Sequence, residues 1–126
     1  MIYGTGIDII EIARIKRSLE TYARHFEEKI FTPSEIDYCR SKADPSRHFA
    51  ARFAAKEAVL KSLGTGMSQG LSWKNIEVIN HPETGKPSLL LNGKGQELFA
   101  ELQLKAIHIS ISHEKAYAIA HAIAEQ

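Results

Sequence analysis

The spacing of apolar positions changes several times along the chain, and each change predicts an element. Residues 2–10 combine β-branched side chains with glycines and end in an apolar run broken only by Asp8, which predicts a buried strand. From Glu11 to Phe26 the residues Ile12, Ile15, Leu19, Tyr22, Ala23 and Phe26 recur every three or four positions, the period of an amphipathic helix. Thr32-Pro33-Ser34-Glu35 sets a cap residue before proline with Glu three positions on, so a short second helix starts there and ends by the break at Lys42-Ala43-Asp44-Pro45. The alanine-rich stretch 46–63 predicts a third helix with Gly64 as its stop. A glycine-rich loop, GTGMSQGLS, leads into an alternating strand over Trp73–Asn80. Pro82–Pro87 then reads as a turn and Ser88–Asn92 as the return strand of a hairpin. Lys94–Leu104 predicts a short helix, and Ala106–His113 and Tyr117–Ala124 two closing strands. The expected fold is α+β, a mainly antiparallel sheet packed with helices.

Composition narrows the classes. With 126 residues, 44% hydrophobic and 25% charged, the chain reads as a single domain over residues 1–126. It is large enough to fold without disulfides or a structural metal, so a metal would serve chemistry. Sixteen basic against fifteen acidic residues give a net charge of +1, which argues against a dedicated nucleic-acid binder and leaves only local charged recognition. The lone Cys39 has no disulfide partner, which suggests a reducing, cytoplasmic setting. No apolar run approaches the roughly 20 residues of a membrane span, and the N-terminus lacks the pattern of a signal peptide.

Candidate chemistry lies in five places. Asp8 interrupts an apolar strand, where an acid needs a partner, a hydrogen bond or a metal; capping or a salt bridge at the strand end are equally open. Glu57 shares a helical face with Lys61 and the small residues Ala50, Ala54 and Ala58, which leaves room for a ligand, although an isolated Glu–Lys pair is otherwise plain surface. Two carboxylates are too few for a calcium cage and suit magnesium, which keeps waters and takes substrate phosphates. Gly64-Thr65-Gly66 could bring backbone amides to a phosphate or simply end the helix. The strand IHISISHE sets Ile107, Ile109 and Ile111 against His108, Ser110 and Ser112 and ends at His113, a possible anion-binding edge. Finally, Arg14, Arg17 and Arg24 fall within about a quarter of the first helix's circumference, with Lys16 nearby, as a basic face for an acidic partner or for solvent.

Together the segments GTGIDIIEIARI (4–15), FAARFAAKEAVLKSLGTG (49–66), TGKP (84–87) and IHISISHE (107–114) resemble the 4′-phosphopantetheinyl transferases, specifically the short holo-acyl-carrier-protein synthases. The resemblance implies transfer of the phosphopantetheine arm of coenzyme A to a serine of an acyl carrier protein, releasing adenosine 3′,5′-bisphosphate, in support of fatty acid biosynthesis. It implies magnesium held by Asp8 and Glu57 with the coenzyme pyrophosphate, Lys61 facing the leaving bisphosphate, and Glu57 or a metal-bound water as base. Larger relatives carry a further acid where this chain has Ile10. The likeness also places Gly64, Thr65, Gly66, Lys86 and Pro87 near the nucleotide and His113 near its 3′-phosphate. Arg52 lies round the helix from Glu57 and would reach a coenzyme only across a subunit boundary. Such a boundary is implied by the homotrimers of the short enzymes, with Arg14, Arg17 and Arg24 docking the carrier. The rival readings are another magnesium enzyme acting on nucleotides without a carrier, and a non-catalytic module whose basic helix binds an acidic protein.

Overall fold

In a computed structural model that describes residues 1–68 and 70–126, the elements follow in the order β1 (Ile2–Glu11), α1 (Ile12–Ile30), α2 (Pro33–Arg40), α3 (Pro45–Leu63), a 3₁₀ turn (Trp73–Asn75), β2 (Ile76–Asn80), β3 (Pro87–Leu91), α4 (Gly93–Glu101), β4 (Ala106–His113) and β5 (Tyr117–Glu125). Gln69 of the glycine-rich loop lies outside the described residues. Two antiparallel sheets form: β1-β5-β4, with Asp8 opposite Ala120 and His113 opposite Ala118, and the hairpin β2-β3, with Asn80 opposite Pro87. The α+β antiparallel architecture is the one expected. Among the described residues no helix is long and apolar enough to cross a membrane.

Glycine decides how β1 packs. Gly6, Asp8 and Ile10 turn inward, whereas Ile7 and Ile9 are 57% and 62% exposed. The strand is therefore not buried throughout as its apolar run suggested; that run alternates, with Ile10 in the core and Ile7 and Ile9 on the outer face at the edge of the sheet. A Cβ on Gly6 would lie 2.0 Å from the carbonyl oxygen of Ala58, and one on Gly4 2.2 Å from that of Ser62. Only glycine lets α3 rest on the strand backbone. The alanines of α3 (Ala50, Ala54, Ala58) meet those of β5 (Ala118, Ala120, Ala122), all buried. The alanine face expected to admit a ligand is thus filled by the sheet, and the alanine-rich tail is internal core.

Helix α1 departs from its predicted wheel. It runs on to Ile30, and at Ala23 the backbone leaves the helical region (φ 46°, ψ −126°), so Tyr22 is 60% exposed instead of joining the apolar stripe. These angles match the first central residue of a type II′ turn, a glycine position. Replacing Ala23 with Gly is expected to raise stability by about 1 kcal/mol, the strain relieved less the added chain entropy; thermal melts decide, and an unchanged or lower Tm would refute it.

Local side-chain bonds explain the other boundaries. Thr32 and Glu35 cap each other's backbone N–H groups at the start of α2 (Thr32 N to Glu35 Oε1 2.9 Å, Glu35 N to Thr32 Oγ1 3.3 Å), as the sequence predicts. Ser72 and Asn75 form a similar box (Ser72 N to Asn75 Oδ1 2.8 Å), which curls Trp73–Asn75 into a 3₁₀ turn and delays the predicted strand to Ile76. Helix α4 stops at Glu101, short of the predicted Leu104, with Gln103 in the left-handed region (φ 55°).

Candidate active site

The inward turn of β1 and the last turns of α3 bring Asp8, Glu57 and Lys61 together. Lys61 Nζ donates to the Ile7 carbonyl oxygen at 2.9 Å and lies 3.3 Å from Asp8 Oδ1, so it pairs across the helix–strand seam and not with Glu57 along its own helix. The Asp8 side chain is only 17% exposed. Burial raises the pKa of Glu57 above its ordinary value, Asp8 adds to the rise, and Lys61 and then Arg14 oppose it. Two carboxylates whose charges work against each other fit a hard divalent cation, which would relieve that repulsion. Among the described residues no group of three His, Cys, Asp or Glu could hold a metal. A cation bound by this pair must complete its shell with water and substrate oxygens, the habit of magnesium.

Beside this pair lies a recess of about 380 Å³ lined by Glu57, Lys61, Gly64, Gly66, Met67 and Trp73. Gly64 ends α3 in the left-handed conformation (φ 77°), and Gly66 follows at φ 58°. The predicted Gly64-Thr65-Gly66 segment therefore turns back beside the carboxylates. A slightly larger recess of about 390 Å³, with Leu89, Leu91, Phe99 and Ile107 among its walls, carries no charged group and offers no comparable chemistry.

The remaining predicted coenzyme contacts gather elsewhere. Arg52 is buried in α3 with its guanidinium 4.0 Å from the Tyr38 ring centroid, and its Nη2 donates to Asn80 Oδ1. Pro87 pairs with that Asn80, which puts Lys86 and Pro87 on the Arg52 side of the molecule. His113 lies 6.1 Å from His48 between ring centroids. Burial lowers the pKa of His48 from 6.5, and the positive charges of Arg52, His113, Lys42 and Arg47 lower it further. The Nε atoms of Arg47 and Arg52 are buried without a hydrogen-bond partner. These groups form a basic cluster in which Asp44, 3.9 Å from Arg47 Nε, is the acidic neighbour. Nine residues separate His48 from Glu57 on α3, about 13.5 Å of rise and half a circumference. Asp8 and His113 sit on the two edge strands β1 and β4, with β5 between them and α3 packed across the sheet. One chain thus holds the predicted residues in two separate groups.

Sequence reasoning missed Lys42, Arg47, His48 and Tyr38 in this cluster, and it missed Lys56. Lys56 and Glu35 form a fully buried ion pair at 2.7 Å. The period 49, 52, 56, 59, 63 was the available signal, since it puts Arg52 and Lys56 among the core positions Phe49, Val59 and Leu63. Cys39 is no nucleophile, because burial pushes its thiol up to about 12.

On α1, Arg14 acts electrostatically on Glu57, and Arg17 is exposed 3.6 Å from Glu11. Arg24 lies beyond the break at Ala23, pairs with Glu28 at 3.8 Å and lines a small recess with Arg40. The continuous wheel that grouped Arg24 with Arg14 and Arg17 does not exist.

A family model described as the 4′-phosphopantetheinyl transferase superfamily matches residues 4–122. A holo-[acyl-carrier-protein] synthase of Geotalea daltonii is 47% identical over 126 residues, all of both chains. The crystal structure of a holo-[acyl-carrier-protein] synthase from Neisseria meningitidis superposes with a TM-score of 0.93 at 32% identity, covering 100% of each chain. That of the Helicobacter pylori synthase in complex with coenzyme A gives 0.84 at 33% identity, covering 96% of this chain and 99% of its own.

Proposed function

The chain belongs to the 4′-phosphopantetheinyl transferase superfamily, and from that premise we propose that Asp8, Glu57 and Lys61 form its catalytic centre. The enzyme transfers the 4′-phosphopantetheine moiety of coenzyme A to a serine of apo acyl carrier protein, giving holo acyl carrier protein and adenosine 3′,5′-bisphosphate. The observation that carries the site assignment is the mutually repelling pair Asp8–Glu57 beside the Lys61 ammonium, with Glu57 and Lys61 lining the recess.

Magnesium bound by Asp8 and Glu57 would offset the pyrophosphate charge and polarise the reacting phosphorus. Glu57, whose pKa lies above the ordinary carboxylate value, is suited to take the proton of the carrier serine as its Oγ attacks the β-phosphorus. The bond from that phosphorus to the bridging oxygen breaks, and Lys61 faces the charge that develops on the departing bisphosphate. Gly64, Thr65 and Gly66 lend backbone to the nucleotide. The basic cluster of Arg52 and His113, with Lys86 and Pro87 on the same side, takes the far phosphate.

Because these two groups lie apart on one chain, we read the working enzyme as a homotrimer whose sites join the Asp8 edge of one copy to the His113 edge of the next. The outer face of the three-stranded sheet supports this reading: Tyr3, Ile7, Ile9, Tyr117 and Ile119 are all exposed there. Residues 1–126 share one buried hydrophobic cluster, which supports a single domain. A cytoplasmic setting fits the lone unpaired Cys39.

Incubation with magnesium, coenzyme A and apo acyl carrier protein should add one phosphopantetheine to the carrier by mass spectrometry; no gain with any of several carriers would refute the reading. For the composite site, Asp8→Asn and Arg52→Gln proteins, each feeble alone, should regain activity when mixed. No recovery, or full activity in a monomer by light scattering, would dismiss the trimer. Arg14 and Arg17 form the carrier-docking face, with Arg24 beyond the kink contributing only if the partner spans it. Arg14→Glu should raise the carrier KM roughly tenfold with a smaller change for coenzyme A, and the difference should shrink as salt screens it. Equal changes in both constants would return this face to ordinary surface.

A further inference from the structure

Lys56 precedes the catalytic Glu57 but turns away from it into the protein, where it is wholly buried. Its three protons are all used: Nζ donates to Glu35 Oε1 at 2.7 Å, to the Ile30 carbonyl oxygen at 2.9 Å and to the Trp73 carbonyl oxygen at 3.1 Å. Glu35 is equally engaged, accepting from Thr32 N and Val78 N, both at 2.9 Å. One ion pair thereby ties the end of α1, the start of α2, the 3₁₀ turn and β2 to the middle of α3.

A buried pair of this kind is weak evidence for stability, since well-packed apolar residues of similar volume often serve as well. Its bond to Trp73 suggests another use. Trp73 stacks on Phe53, 5.3 Å between centroids, and forms one wall of the recess beside Glu57 and Lys61. The loop from Gly64 to Ser72 leaves α3 next to the catalytic residues, and at its far end Lys56 holds the Trp73 carbonyl back against the same helix. The distance between Lys56 and Lys61 is little more than one helical turn, about 7.5 Å of rise. A single stretch of α3 therefore fixes both the reacting groups and the wall opposite them.

We infer that Lys56 is a positioning residue: by gripping the Trp73 carbonyl it holds the recess in the shape that receives coenzyme A. This rests on the reading of the recess as the coenzyme seat. Lys56 touches neither substrate nor metal, so its loss falls on coenzyme binding more than on turnover.

Trp73 is the only tryptophan of the chain and reports its own placement. The test is the double variant Lys56→Met with Glu35→Gln, which removes both buried charges together, keeps volume and leaves no orphaned ion. It should fold with a lowered Tm, because Gln offers one acceptor oxygen where the carboxylate offers two and Met no donor, so one of the Thr32 and Val78 N–H groups and the Ile30 and Trp73 carbonyls lose their partner. Its tryptophan emission should shift to the red and become more open to acrylamide quenching. The KM for coenzyme A should rise at least tenfold, with kcat and the carrier KM changed less than threefold. Should the double variant not fold, Lys56→Arg, which keeps a cation opposite Glu35 but cannot set one ammonium among the same three acceptors, should move emission and coenzyme KM the same way by a smaller factor.

Parental emission together with a parental coenzyme KM would overturn the inference and leave Lys56 a purely structural ion. Shifted emission with an unchanged coenzyme KM would overturn it differently, showing that Trp73 has moved and that the coenzyme sits elsewhere. A fall in kcat with KM unchanged would also overturn it, by tracing the effect to the adjoining Glu57.

Discussion

Exchanging Asp8 for Asn or Glu57 for Gln is expected to lower phosphopantetheine transfer at least about a hundredfold, the equivalent of some 2.7 kcal/mol of transition-state stabilisation, in a protein that remains folded. Each exchange removes a formal charge and a hard oxygen ligand with almost no change of volume. Neither should cost much stability. The Asp8–Lys61 pair is half open to water on the lysine side, and such pairs contribute little to folding. Glu57 works the other way. Its folded pKa lies above the unfolded one, so the folded state takes up protons more readily, and the parent loses stability as pH rises from the ordinary carboxylate range through the raised value. Glu57→Gln cannot titrate and should therefore gain in Tm relative to the parent as pH rises above the ordinary carboxylate range, while transfer collapses. Near-parental turnover with unchanged magnesium dependence would remove the substituted residue from the site, whichever of the two it is.

Gly6→Ala is expected to be the most damaging exchange of a glycine, lowering stability by about 3 kcal/mol or preventing folding. The added methyl would meet the Ala58 carbonyl oxygen at 2.0 Å, the Lys61 Cβ at 2.8 Å and the Ser62 nitrogen at 2.8 Å, two of them backbone atoms that no rotamer can move. Whatever folds must have α3 lifted from β1, and with it Glu57 and Lys61 from Asp8, so transfer should fall beyond the loss of folded protein. Gly64→Ala is the contrasting control. Its φ of +77° disfavours alanine, yet nothing stands within 4 Å of the new carbon, so the penalty should be about 1 kcal/mol. Chemical denaturation separates the two. A Gly6→Ala protein as stable as the Gly64→Ala protein would show that α3 can give way.

Most boundaries were legible because local chemistry fixes them: the Thr32–Glu35 box, Pro45 at the head of α3 and Gly64 at its end are readable residue by residue. Asp8 was legible for an incomplete reason. An acid inside an apolar run signals a site, but the isoleucines around it face outward, and its true neighbours are the glycines at alternate positions that admit α3. Ala23 carried no signal, since alanine is the strongest helix former, and its turn-like angles follow from tertiary packing. Lys56 was hidden for a similar reason. A lysine in an alanine-rich helix reads as solvated, and only its glutamate partner 21 positions away makes its burial possible. The separation of Asp8 from His113 was equally invisible, because strand order depends on which edges pair and not on the residues of either strand alone.

The seam of α3 with β1 and β5 has a thermodynamic character of its own. Alanine and glycine have no side-chain torsions to freeze, so closing this seam orders backbone and almost no rotamers, whereas a leucine-filled interface would restrict many. The same poverty removes any means of adjustment. Packed cores usually take up small displacements by shifting a few χ angles, and here none exist to shift. Where α3 rests on Gly4 and Gly6, its own carbonyls leave no room for even one added carbon. Glu57 and Lys61 therefore keep a fixed register against Asp8 whether substrate is present or absent, and any closure that accompanies binding must be confined to the loop after Gly64 and to contacts outside the sheet.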